Sequence, residues 1–261
     1  MSLQFHKVNA AYRGEIILQD VSFSVAKGSI TALAGRNGQG KTTLLRCLTG
    51  EKSDYRGEIL LDGREVRTFT QAERAVTLSY LPQELPAPQV SVRELVSFGR
   101  APYTPFSGKL SSSDLEKIDW AIRAVGMQSL AEAQVDRLSG GERKKAFFAM
   151  TLAQDTPLVV LDEPTAHLDA QSRFAFLDLV ERLRQETGKT FLLVMHELPD
   201  LLQYAQKLIV VEERTVYFSG TPEQFLAQQL PQKCFGVTVC GDRAHGYAVT
   251  RCDKETGGTS Q

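Results

Sequence analysis

Three stretches of the chain, residues 158–161, 191–195 and 208–211, are apolar without interruption. Runs of four or five such residues suit strands buried on both faces, and none approaches the eighteen needed to cross a bilayer. Upstream, residues 3–33 read as short strands broken by turns. They close with 29–34, a buried strand that runs into a glycine loop. The apolar spacing of 42–48 predicts a helix from Lys41 to about Leu48, with Gly50 to close it. Residues 57–61 and 76–81 read as further strands, separated by the turn Asp62-Gly63 and a polar stretch.

The pattern then changes character. Pro82, Pro86 and Pro88 crowd one loop, and helical spacing begins at 91–98 and 114–125. In the second helix Leu115, Ile118, Ile122 and Val125 share a face. Between the two, GRAPYTPFSGKLSSS (99–113) is rich in Gly, Pro and Ser and reads as loop. The mostly helical stretch from about 91 to 151 therefore reads as an inserted lobe. Strand and helix alternate again afterwards: strand 158–161, helix 171–186, strand 190–195, a short helix, strand 207–211. Such alternation implies parallel strands with crossover helices. A short strand at 215–219 and a helix at 222–230, opened by Thr221-Pro222, follow. Beyond Asp253 the tail KETGGTSQ has nothing to bury and is expected to be disordered.

Composition adds mainly exclusions. With 42% hydrophobic and 23% charged residues and a net charge of −1, the chain lacks the electrostatic footprint of a nucleic-acid or anionic-lipid binder. No nucleic-acid partner is expected. The opening MSLQFHKVNA does not read as a signal peptide, so a cytosolic chain is expected, with any membrane role acting through a partner. Cys47, Cys234, Cys240 and Cys252 form no CxxC pair and read as ordinary reduced thiols.

Three motifs carry chemistry. Gly35-Arg36-Asn37-Gly38-Gln39-Gly40-Lys41-Thr42, followed by Thr43, is a Walker A loop. Its glycines let successive backbone N–H groups wrap a phosphate, and the helix behind adds its positive dipole end. Lys41 should reach the β- and γ-phosphates, and the Thr42 hydroxyl should ligate Mg2+. In the second, four apolar residues end in Asp162 and Glu163. A buried strand thereby delivers both acids at its C-terminal edge, where α/β sheets bind ligands. Asp162 suits a metal-holding, Walker B role, and Glu163 suits the orientation or deprotonation of attacking water. The third is Leu138-Ser139-Gly140-Gly141-Glu142, just ahead of a helical run. Read alone, it is a serine helix cap after a turn. Read with the others, Ser139 and two glycine amides at a helix N-terminus make a second γ-phosphate cradle.

Lying between Walker A and Walker B, this third motif resembles the signature of ATP-binding cassette (ABC) proteins. The resemblance covers nearly the whole chain. It implies an α/β fold: a P-loop NTPase (RecA-like) core with an N-terminal antiparallel β-subdomain and an inserted helical subdomain. The ATP-binding domain is expected over 1–240, with the helical part at about 88–151 and a C-terminal extension at 241–261. The resemblance also implies a head-to-tail homodimer, each ATP held between one chain's Walker A loop and the other's Ser139, Gly140 and Gly141. Gln83 matches the Q-loop glutamine that senses Mg2+ and water, Asp169 the D-loop acid facing the dimer partner, and His196 the switch histidine. Tyr12 sits where the family stacks an aromatic on adenine. Glu142 stands where Gln is common, Lys145 where Arg is, and Glu197 where Asp is usual; none of these removes a phosphate-contacting group.

Residues 97–103, the helix at 115–126 and the ending Gly220-Thr221-Pro222-Glu223 are similar to iron-chelate, haem and cobalamin importer ATPases. That resemblance implies ATP hydrolysis driving uptake through two transmembrane permease subunits fed by an extracytoplasmic binding protein. The chain would then lie peripherally on the cytoplasmic face of the inner membrane. The rival is a soluble cassette ATPase uncoupled from transport, for example in iron–sulfur cluster assembly.

Overall fold

The computed structural model describes residues 1–104 and 108–251. Two long strands, β1 (Leu3–Tyr12) and β2 (Glu15–Val25), lead into β3 (Ile30–Ala34) and helix α1 (Lys41–Thr49). Strands β4 (Tyr55–Leu61) and β5 (Arg64–Glu65) precede α2 (Gln71–Thr77) and β6 (Leu78–Leu81). A helical lobe follows, made of α3 (Val92–Ser97), α4 (Ser112–Ala124) and α5 (Gly140–Ala153). The chain then runs through β7 (Leu158–Asp162), α6 (Ala170–Thr187), β8 (Thr190–Val194), α7 (Leu198–Tyr204), β9 (Lys207–Glu212), β10 (Thr215–Gly220) and α8 (Pro222–Ala227).

β1 pairs antiparallel with both β2 and β4, giving a four-stranded sheet in the order β2-β1-β4-β5. The central sheet has six strands in the order β10-β9-β3-β8-β7-β6. All its pairings are parallel except the β10 edge. Alternate residues of β7 explain why its sequence shows no polar gap. Leu158 and Val160 pack into the core shared with α1 and the antiparallel sheet, whereas Val159 and Leu161 pack into the core beneath the helices. A parallel strand covered on both faces needs apolar side chains at every position.

A buried ion pair fastens the helical lobe. Arg100 Nε donates to Asp114 Oδ1 at 2.8 Å, and its second arm donates to the Ala153 carbonyl at 2.7 Å, tying α4 to the end of α5. Both side chains are almost fully covered. A guanidinium satisfied by two partners at once is the form in which a buried charge is tolerated.

The structure corrects three sequence expectations. The strand read over 76–81 begins only at Leu78, because Gln71–Thr77 is helical. Thr70 and Glu73 close a capping box there, each side chain meeting the other's backbone N–H. The stretch read as loop over 99–113 contains a 3-10 helix, Phe98–Tyr103, and α4 already begins at Ser112; residues 105–107 lie outside the described residues. The helix read over 222–230 ends at Ala227, and a hairpin of β11 (Val237–Asp242) and β12 (Gly246–Arg251) follows later in the chain. Cys47, Cys234 and Cys240 are free thiols. Cys252 and the tail 254–261 lie outside the described residues.

Candidate active site

Four parallel strands bring their C-terminal ends to one edge. β3 runs into the Walker A loop, β6 leads to Gln83, β7 ends in Asp162 and Glu163, and His196 lies just past β8. These loops enclose a cleft of about 440 Å³ lined by Ile17, Asn37, Gly38, Gly40, Lys41, Thr42, Thr43, Gln83, Glu163 and His196. Ligands of open α/β sheets bind at this edge.

The Walker A loop depends on glycine at two places. A Cβ at Gly35 would lie 2.3 Å from the Val211 carbonyl oxygen, and the residue's φ is +150°. Gly40 N-caps α1 in the left-handed conformation, with Leu18 packed against it. Lys41 is buried, its ammonium folded back to donate to Gly35 O at 2.7 Å and Arg36 O at 3.0 Å. Burial lowers its pKa, and the nearby Glu163 and Asp162 carboxylates pull the other way.

Asp162 is only 3% exposed and accepts from the Tyr80 hydroxyl at 3.1 Å. Burial is the main cause of its raised pKa. Glu163 departs from strand geometry with φ +48°, a conformation L residues avoid by about 1 kcal/mol or more. Its N–H donates to Val194 O at 3.0 Å, which pins the turn to β8. The side chain then reaches both neighbours: Oε2 accepts from Gln83 Nε2 at 2.7 Å, and Oε1 meets His196 Nε2 at 2.5 Å. Gln83, Glu163 and His196 thus form one connected group beside Lys41 and Thr42.

Other expected site residues lie elsewhere. Ser139 N-caps α5: its Oγ accepts from Glu142 N at 3.3 Å, while its N–H and hydroxyl donate to Glu142 Oε2 at 3.0 and 2.6 Å. Gly140 borders a second cleft of about 320 Å³, shared with Gln83, Lys144, Ala166 and His167. Gly141 follows it in the first turn of α5. Asp169 caps α6, accepting from the Ser172 N–H at 2.9 Å. Tyr12 does not line this cleft, and the Lys52 ammonium stands 4.2 Å over its ring. Two participants went unread in the sequence, Tyr80 and Lys144. Neither stands out in its element, Tyr80 following Ser79 and Lys144 lying between Arg143 and Lys145, and only the fold shows its partner.

Comparison with known proteins agrees with this geometry. The family model described as ABC transporter matches residues 18–166, from β2 to the loop after Walker B. The petrobactin import ATP-binding protein FpuC of Bacillus anthracis is 35% identical over 241 residues, covering 91% of this chain and 88% of its own. The chain belongs to the ABC transporter family. The ferric enterobactin transport ATP-binding protein FepC of Escherichia coli (strain K12) is 33% identical over 236 residues, covering 90% of this chain and 87% of its own. A metal-chelate type ABC transporter in an inward-facing conformation shares the fold, with a TM-score of 0.83 at 24% identity over 97% of this chain and 98% of that one. The ABC chain described here is accordingly an ATP-binding, ATP-hydrolysing subunit. Among its described residues no helix is long and apolar enough to cross a membrane.

The donor set also suits a hard divalent cation. A buried carboxylate at Asp162, an exposed hydroxyl at Thr42 and the amide oxygen of Gln83 are all oxygen ligands. Among the described residues no three His, Cys, Asp or Glu side chains converge to form a complete cage. A cation that shares its ligands with substrate phosphates needs only such a partial set.

Proposed function

We propose that this chain is the ATPase of an importer that drives uptake of an iron-chelate, haem or cobalamin type solute through a separate membrane permease. The observation that carries the catalytic part is the Glu163 carboxylate, held between Gln83 and His196 at the cleft behind the Walker A loop. The import part is supported by relatives named for petrobactin import and ferric enterobactin transport.

In this reading the phosphates of ATP lie against the amides of residues 38–43 and draw the Lys41 ammonium from the Gly35 and Arg36 carbonyls. Thr42, Asp162 and the Gln83 oxygen would hold Mg2+, which supplies charge neutralisation at the phosphate oxygens. Glu163 orients a water in line with the γ-phosphorus and takes its proton as the new O–P bond forms. The bond to the bridging oxygen breaks, and ADP leaves with that electron pair. His196 holds Glu163 and the transferred phosphoryl group in register. Tyr12 stacks the adenine on the ring face away from Lys52.

Ser139, Gly140 and Gly141 serve the ATP of a second copy, so two chains close head to tail on two nucleotides, with Asp169 at the seam. Closing and reopening that homodimer would move two permease subunits from the cytoplasmic side of the membrane, the solute arriving from a substrate-binding protein.

Glu163→Gln keeps the shape and removes the base. Turnover should fall by about a thousandfold or more, and the chain should accumulate as an ATP-bound dimer in size-exclusion chromatography. Wild-type turnover in that variant would take Glu163 out of the reaction. The import reading is tested by mild-detergent recovery of the tagged chain from its native membranes. A polytopic permease in comparable amount supports it; soluble partners alone would overturn it and leave the ATPase.

A further inference from the structure

Lys144 lies in the second turn of α5, the helix that begins at the Ser139-Gly140-Gly141 cradle. It is 7% exposed, and its ammonium meets the loop that follows β7. Nζ donates to Ala166 O at 2.7 Å and reaches Glu163 O at 3.5 Å. An ammonium is not buried without acceptors, and here both acceptors are backbone carbonyls of the loop that aims Glu163.

That loop is under conformational tension. Glu163 at φ +48° and His167 at φ +63° are both left-handed without being glycine. Its internal bonds are few: Ala166 N–H to Glu163 O at 3.1 Å and Leu168 N–H to Thr165 O at 3.2 Å. Strained backbone of this kind persists only where surrounding contacts over-determine it. Lys144 supplies such a contact from a different element, gripping the loop at the residue that starts it and again near its middle.

We propose that Lys144 is a positioning residue that couples the two ATP sites of the dimer. It ties the helix whose N-terminus cradles one nucleotide to the loop whose Glu163 activates water at the other. A phosphate arriving at the cradle shifts or stiffens α5, and Lys144 passes that change to the backbone that directs the Glu163 carboxylate. The coupling rests on the head-to-tail dimer proposed above.

The test uses the full chain and its ATP dependence. Lys144→Met keeps the length and removes the donor. Maximal turnover should fall about tenfold and the Hill coefficient for ATP should drop toward one, while nucleotide binding to the isolated chain changes by less than about twofold. Lys144→Arg should restore most of both losses, because the neighbouring 320 Å³ cleft gives the guanidinium room. If Lys144→Met fails to fold, Lys144→Leu, also without a donor, carries the same comparison. Wild-type turnover and cooperativity in the donor-free variant would overturn the proposal. So would equal losses in the Met and Arg variants that track a lowered Tm, since that would make the lysine merely structural. A Glu163→Gln chain that stays monomeric in ATP would instead remove the dimer reading on which the coupling stands.

Discussion

Two helices of this protein begin behind small residues and aim their N-termini outward, yet they begin in opposite ways. α1 has Gly40 as its cap, no capping side chain and no acidic residue in its first turn. α5 has Ser139 as its cap and Glu142 three residues on, closing a complete capping box. The first helix leaves its amides to an outside anion. The second satisfies its own amides with an internal carboxylate. A capping box is worth about 1 kcal/mol, whereas charge-assisted bonds from amides and a hydroxyl to phosphate are individually stronger. On the proposed reading, the Walker A loop stands open to phosphate at all times, and the signature would become a cradle only when a phosphate competes with Glu142.

The open cradle is where breakage should cost most. Lys41→Ala removes the cation that the loop keeps against Gly35 O and Arg36 O. Nucleotide affinity should fall about a hundredfold, near 2.7 kcal/mol, and turnover should vanish with it. Fluorescent-nucleotide titration of the isolated chain measures this. Affinity within a factor of three of wild type would show that the loop's amides hold the phosphates unaided.

Breaking the self-capped helix should separate binding from turnover. Ser139→Arg fills the cradle with a bulky side chain on the outer face of α5. It should abolish turnover, a loss of about a thousandfold or more, yet leave nucleotide binding to the isolated chain within about twofold. If binding to the isolated chain weakened as well, the signature would serve the nucleotide of its own chain and the head-to-tail arrangement would fail.

The contrast between the helices also explains what was legible in the sequence. Apolar runs located β7, β8 and β9 to within a residue or two, because strands covered on both faces cannot hide their composition. The Walker A loop, Asp162, Glu163, Gln83 and His196 were legible because each sits at or just past the end of a strand, and all but Asp162 line one cleft. Helix α2 was not read, since none of its residues is buried and apolar periodicity had nothing to report. Its Thr70-x-x-Glu73 box was the available signal. Nor did local pattern indicate the Arg100–Asp114 pair or the Lys144 contacts, which join residues 14, 19 and 22 positions apart. Ser139 shows the converse case. Its two readings, helix cap and phosphate ligand, share one geometry, and the structure displays the cap.

The finest test asks whether Glu142 really competes with phosphate. Glu142→Gln keeps an acceptor for the Ser139 N–H and hydroxyl, so the capping box survives. It removes a negative charge at a helix N-terminus, a loss of about 0.3 kcal/mol at an exposed site. The Ser139 hydroxyl and N–H hold the Glu142 carboxyl below the usual glutamate value. Its stabilising contribution is therefore complete above the unfolded value of about 4.3 and is lost as pH falls through the lower folded one. Glu142→Gln should flatten that part of the acid limb of stability. Assembly should respond in the other direction, because the incoming phosphate meets one negative charge fewer. In a Glu163→Gln background, ATP-dependent dimerisation should tighten about threefold at low salt and converge on the parent as salt screens the charge. Sedimentation at two ionic strengths measures it. Equal affinities at low salt would mean that Glu142 does not face the phosphate, and the two helix starts would then differ in stability alone, not in how they are opened.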